Sequence, residues 1–429
     1  MSSLSLQSRQ LERASSHWSI LLRRLPRAIP STNGVAGSAR TSGAVTWFHP
    51  SAIGAFALCN TCCRPLIPVQ QLVTSKMSGI SPPVVAASDA EVFMGLLNRV
   101  KLDLAEDQKK DGHLESAFCR LKEVLEYNLT GGKKNRGLSV VASYRQLASP
   151  SQKTEDNITI AMIIGLCVEL LQASLLVADD IMDNSTMRRG KPCWYKKEGV
   201  GLFAINDSFL LKSMIYELLK KYCMEKPFYL NVLELFLQVS YKTELGQALD
   251  LLTAQPDKID FSSFTEERYE TIAKYKTAFY SFYLPIAAAM YMVEIVSKEA
   301  HASAEAILLE MGQFFQIQDD YLDCYGEPEV TGKVGTDIED NKCSWLIVQA
   351  LKIITPEQRT LLEENYGCQD PAKVACVKAV YTELNLQTVY QQYEDKSYAR
   401  LMSLIDNHAT SLPKVIFLEL AQRLYKRQK

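Results

Sequence analysis

Two short segments carry enough carboxylate to do metal chemistry. One runs Gln172-Ala173-Ser174-Leu175-Leu176-Val177-Ala178-Asp179-Asp180-Ile181-Met182-Asp183; the other runs Phe314-Phe315-Gln316-Ile317-Gln318-Asp319-Asp320-Tyr321-Leu322-Asp323. Each is an apolar approach closed by Asp-Asp-x-x-Asp. Residues four apart are neighbours on a helix, so Asp179 would share a face with Asp183, and Asp319 with Asp323. Turned toward each other, two such faces would set about six carboxylates, Asp180 and Asp320 included, around one space. Carboxylates that close repel unless cations separate them. Hard oxygen donors favour Mg²⁺, which keeps several waters and shares its sites with substrate phosphates. The chemistry this predicts is a Mg²⁺-bridged diphosphate site at the mouth of an apolar pocket.

Cations accompany both clusters. Gly131-Gly132-Lys133-Lys134-Asn135-Arg136-Gly137 stands between two helical patterns, with glycines that permit close backbone approach. Arg188-Arg189-Gly190 follows the first cluster, Thr331-Gly332-Lys333 follows the second, Lys276-Thr277 lies between them, and the chain ends Lys426-Arg427-Gln428-Lys429. Any one of these alone is an ordinary solvated charge. Together they suit two anionic groups, one held through metal and one held directly, Arg offering a fork to phosphate and Lys a point charge.

The elements that must position these groups read as helices. Phe93, Leu96, Leu97 and Val100, then Leu114, Phe118, Leu121, Leu125 and Leu129, keep helical spacing. Ser88 with Glu91 and Ser263 with Glu266 read as capping boxes. Thr355-Pro356-Glu357-Gln358 and Asp370-Pro371 join an N-cap to a proline in the first turn, and Leu412-Pro413 opens a last helix. No period-two strand or Asn-Gly hairpin is evident. The most apolar stretch, 158–178, holds Glu169 and Gln172 and ends in the first acidic cluster, which is costly in lipid. A central bundle helix is expected there, not a membrane span. The expected fold class is all-α: one large helical bundle of about ten helices or more around a central cavity, over residues 77–429.

Residues 1–76 differ in kind. They carry eight basic residues against Glu12 alone, a net of +7, which leaves −9 on the remainder of a chain of net −2. An Arg- and Ser-rich, acid-poor start without a long apolar core is the composition of an organelle transit peptide. A mitochondrial address is expected, with a shorter cytosolic form possible from Met77. Eleven cysteines in 429 residues suggest buried free thiols and no disulfide scaffold. No nucleic-acid partner is expected.

The segments 131–137, 171–190, 243–250, 274–285 and 314–345, with the basic C-terminus, resemble the farnesyl diphosphate synthases of the eukaryotic type, short-chain trans-isoprenyl diphosphate synthases, from about residue 92 to the end. The resemblance implies an all-α prenyltransferase (isoprenoid synthase) fold, a homodimer and a three-Mg²⁺ cluster, with Mn²⁺ or Co²⁺ as substitutes. It implies Asp179, Asp180, Asp183, Asp319, Asp320 and Asp323 as metal ligands, with Asp250 and Gln247 at the metal and allylic site. By the same resemblance Arg188, Lys276 and Lys333 hold the allylic diphosphate; Lys133, Arg136, Gln172, Arg189, Arg427 and Lys429 hold isopentenyl diphosphate. Gln316, Lys342 and Asp337 match positions near the site. Thr277 and Tyr280 would stabilise the carbocation formed when the allylic C–O bond breaks. The implied reaction condenses isopentenyl diphosphate with dimethylallyl and geranyl diphosphates.

Two positions depart from that pattern. Ser174 and Leu175 stand where farnesyl-making members usually carry two aromatic residues, about one helical turn, roughly 5 Å, from Asp179. Five more buried carbons are worth roughly 4 kcal/mol, so this floor bears on chain length; geranyl and farnesyl products are expected, geranylgeranyl being the alternative. Lys134 replaces an aromatic residue beside the isopentenyl subsite. A terpene synthase, which ionises an allylic diphosphate alone, would not need the second cationic group. A non-catalytic partner subunit would not keep both acidic motifs complete. A di-iron carboxylate bundle needs Glu-x-x-His pairs, and none of the five histidines has Glu three residues before it.

Overall fold

The computed structural model describes residues 89–110, 112–255, 258–331 and 334–425. The leader expected at 1–76, Ser88 of the first expected capping box, Lys333, Arg427 and Lys429 lie outside the described residues. The helices are α1 (Asp89–Lys110), α2 (Glu115–Leu129), α3 (Asn135–Leu147), α4 (Glu155–Met182), α5 (Ala204–Cys223), α6 (Tyr229–Thr253), α7 (Glu266–Ile272), α8 (Leu284–Met292) and α9 (Lys298–Tyr325). They continue as α10 (Pro328–Thr331), α11 (Trp345–Leu351), α12 (Pro356–Asn365), α13 (Pro371–Glu383), α14 (Leu386–His408) and α15 (Lys414–Leu424). Between α7 and α8 the chain winds as a π-helix, Ala273–Tyr283. The all-α bundle expected from the sequence is the fold observed.

α4 is the centre. Thr154 caps it by accepting from Asn157 N–H at 3.2 Å, and Glu155 and Asp156 suit the positive end of the helix dipole. Every residue from 160 to 174 is buried, as a helix apolar on all sides must be. It is long and apolar enough to cross a membrane, yet 89% of its most apolar window is buried inside the bundle. α4 packs chiefly on α3 and α5, and the π-helix on α6 and α9. At the crossing with α3, a Cβ added to Gly165 would stand 2.5 Å from Gly137 O, so only two glycines permit this approach.

Start signals mostly act where they were read. Thr355 and Gln358 form the reciprocal box, Asp370 caps α13, and Pro413 precedes α15. Two readings need correction. Ser263 lies in a 3₁₀ turn with its hydroxyl on Asp260 O, and α7 is capped instead by Thr265, whose backbone is extended and whose Oγ1 accepts from Arg268 N–H. Leu114 is exposed in a 3₁₀ turn ahead of α2, so the stripe it was read into begins later.

One short hairpin exists. Met187–Arg188 pairs antiparallel with Lys191–Pro192, and the two-residue turn is Arg189-Gly190, with φ of 54° and 72°. Both left-handed values mark a I′-type turn, whose twist suits paired strands. A second, smaller core around Phe261, Trp345, Tyr366 and Tyr381 supports the loop that carries Lys342. Tyr366 Oη donates to Lys342 O at 2.7 Å, and Asn341 Nδ2 donates to Gln255 O at 2.9 Å.

Candidate active site

The last turn of α4 presents Asp179, Asp183 is its C-cap, and Asn184 follows with φ of 51°. α6 contributes Asp250 and Gln247, the π-helix Lys276, and the loop before α11 Lys342. Their side chains form one network. Lys276 Nζ lies 2.6 Å from Asp250 Oδ2 and 3.4 Å from Asp179 Oδ1. Lys342 Nζ reaches Asp250 Oδ2 at 3.1 Å and Asp183 Oδ1 at 2.9 Å. Gln247 Nε2 donates to Asp179 Oδ1 at 3.0 Å.

Burial would raise Asp250, but Lys276 and Lys342 outweigh it and hold the carboxyl at about 2. Burial also works against Asp179, which Lys276, Lys342 and Arg188 nonetheless keep below its ordinary value. Asp183 moves up instead, through burial and repulsion from Asp179, with Lys342 only partly offsetting them. Both lysines are raised: burial disfavours their charge, and the surrounding carboxylates more than restore it. For Asp179, Asp250 and the two lysines, opposite charge outweighs desolvation; for Asp183 it does not.

The middle aspartate of each motif points elsewhere. Asp180 Oδ1 accepts from Arg188 Nε at 2.9 Å and Nη2 at 2.5 Å. Asp320 Oδ2 accepts from Trp345 N–H at 2.8 Å, and its Oδ1 from Gln316 Nε2 at 2.9 Å. Burial pushes Asp320 up to about 7 despite these donors. Asp323 Oδ2 takes Asp337 N–H at 3.0 Å. The two motifs are joined across the π-helix: Lys276 pairs with the first, and Thr277 Oγ1 donates at 2.6 Å to Gln316 Oε1, whose amide holds Asp320 in the second.

A second cationic group lies on the other flank. Arg136 Nε donates to Ser281 Oγ at 2.9 Å, with its guanidinium 5.1 Å from the Tyr280 ring and 5.7 Å from the Phe315 ring. The Arg189 guanidinium folds against Gly132, where an added Cβ would be 3.0 Å from its Cζ. Lys133 is exposed, Gln172 and Ser174 are buried, and Leu175 is half-buried against the main core.

Sequence reasoning missed three features. Glu169 is buried, accepts Gly137 N–H at 2.9 Å, and faces Lys134. Gly246 and Gly312 clasp the π-helix: an added Cβ would stand 2.2 Å from Lys276 N in the first case and 2.2 Å from Ala278 Cβ in the second. A polar residue inside an apolar run and glycines inside helical patterns were the available signals.

Whether this donor set suits a metal follows from its chemistry. Asp179, Asp183 and Asp250 offer only hard carboxylate oxygens, and Asp183 is destabilised by its neighbour, so more positive charge is called for. Among the described residues no group of three or more acids, histidines or cysteines already stands as a metal cage. The ammonium groups of Lys276 and Lys342 lie between these carboxylates and stand in for cationic charge. The residues fit a hard divalent ion.

Known proteins agree with this geometry. The polyprenyl synthetase family model matches residues 119–384. The farnesyl pyrophosphate synthase of Gallus gallus is 61% identical over 347 residues, covering 81% of this chain and 95% of the relative. That of Homo sapiens is 56% identical over 354 residues, covering 82% and 84%. The solved farnesyl diphosphate synthase of T. brucei complexed with risedronate has a TM-score of 0.74 at 35% identity, covering 79% of this chain and 99% of that one. The fold and its acidic site are those of an isoprenoid-chain synthase. The chain belongs to the polyprenyl synthetase family, and within it to the farnesyl pyrophosphate synthases. That family works with a divalent metal.

Proposed function

We propose that this chain is a prenyltransferase that condenses isopentenyl diphosphate head-to-tail with dimethylallyl and geranyl diphosphates, giving geranyl and farnesyl diphosphate. The observation that carries the reading is the pair of separate anion-binding groups: the Lys276–Asp179–Asp250–Lys342 network at the acidic end of α4, and Arg136 with Arg189 on the other flank. One allylic diphosphate leaves; the second substrate keeps its own. A terpene synthase has no use for the second group.

In this reading Asp179, Asp183 and Asp250, with the second motif, would hold Mg²⁺, three ions by resemblance. When bound, Mg²⁺ neutralises the charge on the departing diphosphate as a Lewis acid. Lys276 and Lys342, already poised between carboxylates, turn the same charge toward that diphosphate. Arg188, locked by Asp180, adds a fork donor. As the allylic C–O bond breaks, the Thr277 hydroxyl or backbone carbonyl and the Tyr280 phenol face the carbocation. The isopentenyl double bond attacks it, and the departed diphosphate accepts the proton released. Phe279 and Phe314, both buried, keep water from the cation. Ser174 and Leu175, one turn below Asp179, set the chain-length floor.

A homodimer is supported by Leu230, Leu237, Tyr241, Leu245 and Leu252, exposed along α6 at helical spacing, with Phe209 on α5 beside them in the exposed set. Leu237→Glu with Tyr241→Glu should yield monomer by light scattering. Residues 1–76 are proposed as a mitochondrial address; a reporter fusion that stays diffuse would retract this. The catalytic reading is tested by incubating the chain with Mg²⁺, isopentenyl diphosphate and dimethylallyl diphosphate and measuring product length. C₁₀ and C₁₅ diphosphates are expected. Product from geranyl diphosphate alone, as a hydrocarbon or alcohol, would overturn coupling.

A further inference from the structure

We propose that Lys134 is a direct ligand of the isopentenyl diphosphate headgroup, a further specificity-determining residue beside Arg136 and Arg189. This rests on the condensation reading above. Lys134 enters α3 with a left-handed backbone, φ 54°, one residue after Gly131 and Gly132, whose φ values are 80° and 71°. That path turns its side chain inward, and the residue is only 8% exposed. Its ammonium has no hydrogen-bond partner. The nearest acid, Glu169 Oε2 on α4, stays 4.0 Å away, and the other Glu169 oxygen is engaged by Gly137 N–H at 2.9 Å.

A buried ammonium without an acceptor is costly. A lysine serving only to staple α3 to α4 would close on Glu169. The staple is also redundant, because the Gly137–Gly165 contact already fixes the two helices at van der Waals range. Every other charge facing Lys134 is positive: Arg189 and Lys191 on the hairpin, with Arg136 beside Arg189. Three or four cations around one carboxylate are an anion site awaiting an anion. Burial, with Arg189 and Lys191 adding and Glu169 opposing, brings Lys134 down to about 8, so its charge is partly lost just above neutrality and is restored by an arriving diphosphate.

The test uses the full chain at saturating geranyl diphosphate, with kcat/KM for isopentenyl diphosphate measured from about pH 6.5 to 9.5. Lys134→Met should raise the isopentenyl KM roughly tenfold near pH 7, the scale of one charge-assisted hydrogen bond, and leave the geranyl KM within about twofold. Wild-type kcat/KM should fall above about pH 8, and the Met variant should lack that step. Lys134→Arg, charged throughout, should keep the affinity without the step. A Met variant with unchanged isopentenyl KM and profile, or one that loses only thermal stability, overturns the inference. A wild-type chain that does not elongate at all overturns the condensation reading, and this inference with it.

Discussion

Gly246→Ala separates the placement of the π-helix from its chemistry, since it adds one methyl group and removes no functional atom. The new Cβ would stand 2.2 Å from Lys276 N, 2.5 Å from Tyr275 C and 2.7 Å from Lys276 Cα. All are backbone atoms, so no side-chain rotation relieves the overlap. Ordinary contact starts at about 3.4 Å, so the π-helix must retreat from α6 by about 1 Å. It cannot retreat freely, because Gly312 already brings α9 against Ala278 on another side. The shift carries Lys276 away from Asp250, now 2.6 Å distant, and from Asp179. Misplacement on this scale costs roughly 100-fold in rate, and overpacking costs about 1–3 kcal/mol. In an exposed helix the same change would stabilise by about 0.5–1 kcal/mol, so the sign itself is diagnostic. We expect kcat/KM for geranyl diphosphate to fall about 100-fold, with the far-UV circular dichroism unchanged and Tm lowered by several degrees. A variant that keeps its turnover to within about threefold would refute the idea that close π-helix packing places Lys276.

Two further changes probe charge. Asp250→Asn keeps the shape but removes the negative charge shared by Lys276 and Lys342; breaking a buried pair costs about 3–5 kcal/mol, so Tm should drop markedly together with turnover, and an unchanged Tm would mean that the lysines find other counter-charges. His301 is a pH probe remote from the acidic cluster. Its Nε2–H donates to Ile295 O at 2.9 Å, its Nδ1 accepts from Tyr283 Oη at 3.2 Å, and it stacks on Tyr291, arrangements of the neutral ring. Burial lowers its pKa from 6.5, against opposing pulls from the Ile295 carbonyl and Glu305. The unfolded chain therefore binds its proton first, so this contribution is full above about pH 6.5 and is lost as pH falls below it. Thermal melts from pH 7 to 5 should show a decline that His301→Gln reduces; an identical slope in both would exclude this histidine.

The spacing of the acidic motifs was informative because a helix converts four residues into one face. Asp179 and Asp183 do share that face and the same lysine network. The composition of 158–178 likewise pointed to a buried helix, since Glu169, Gln172 and the acidic cluster that closes it are costly in lipid, and the caps at Thr355 and Asp370 were legible because their bonds are local. What could not be read were partners far apart in the chain. Lys342 lies 92 residues from Asp250 and 159 from Asp183, yet bonds to both. Thr277 meets Gln316 across 39 residues. The Arg189-Gly190 turn lacks the Asn-Gly signature of such hairpins, because an arginine takes the left-handed position beside glycine.

The second aspartate of each motif shows the limit of spacing most clearly. Its position is 100° around the helix from the first, so its side chain leaves along a different direction and takes a different set of partners. In the first motif that partner is Arg188, delivered eight residues later by the hairpin; in the second it is the N–H of Trp345, at the start of α11, with Gln316 one turn earlier on α9. Asp180 therefore orients Arg188, the arginine proposed to meet the diphosphate, and Asp320 ties α9 to the helix that follows the Lys342 loop. The first motif thus acts twice, placing its outer carboxylates among Lys276 and Lys342 and holding Arg188 with its middle one. Loss of Asp180 or Asp320 should for this reason disturb the lysines and arginines as much as the acidic cluster they belong to.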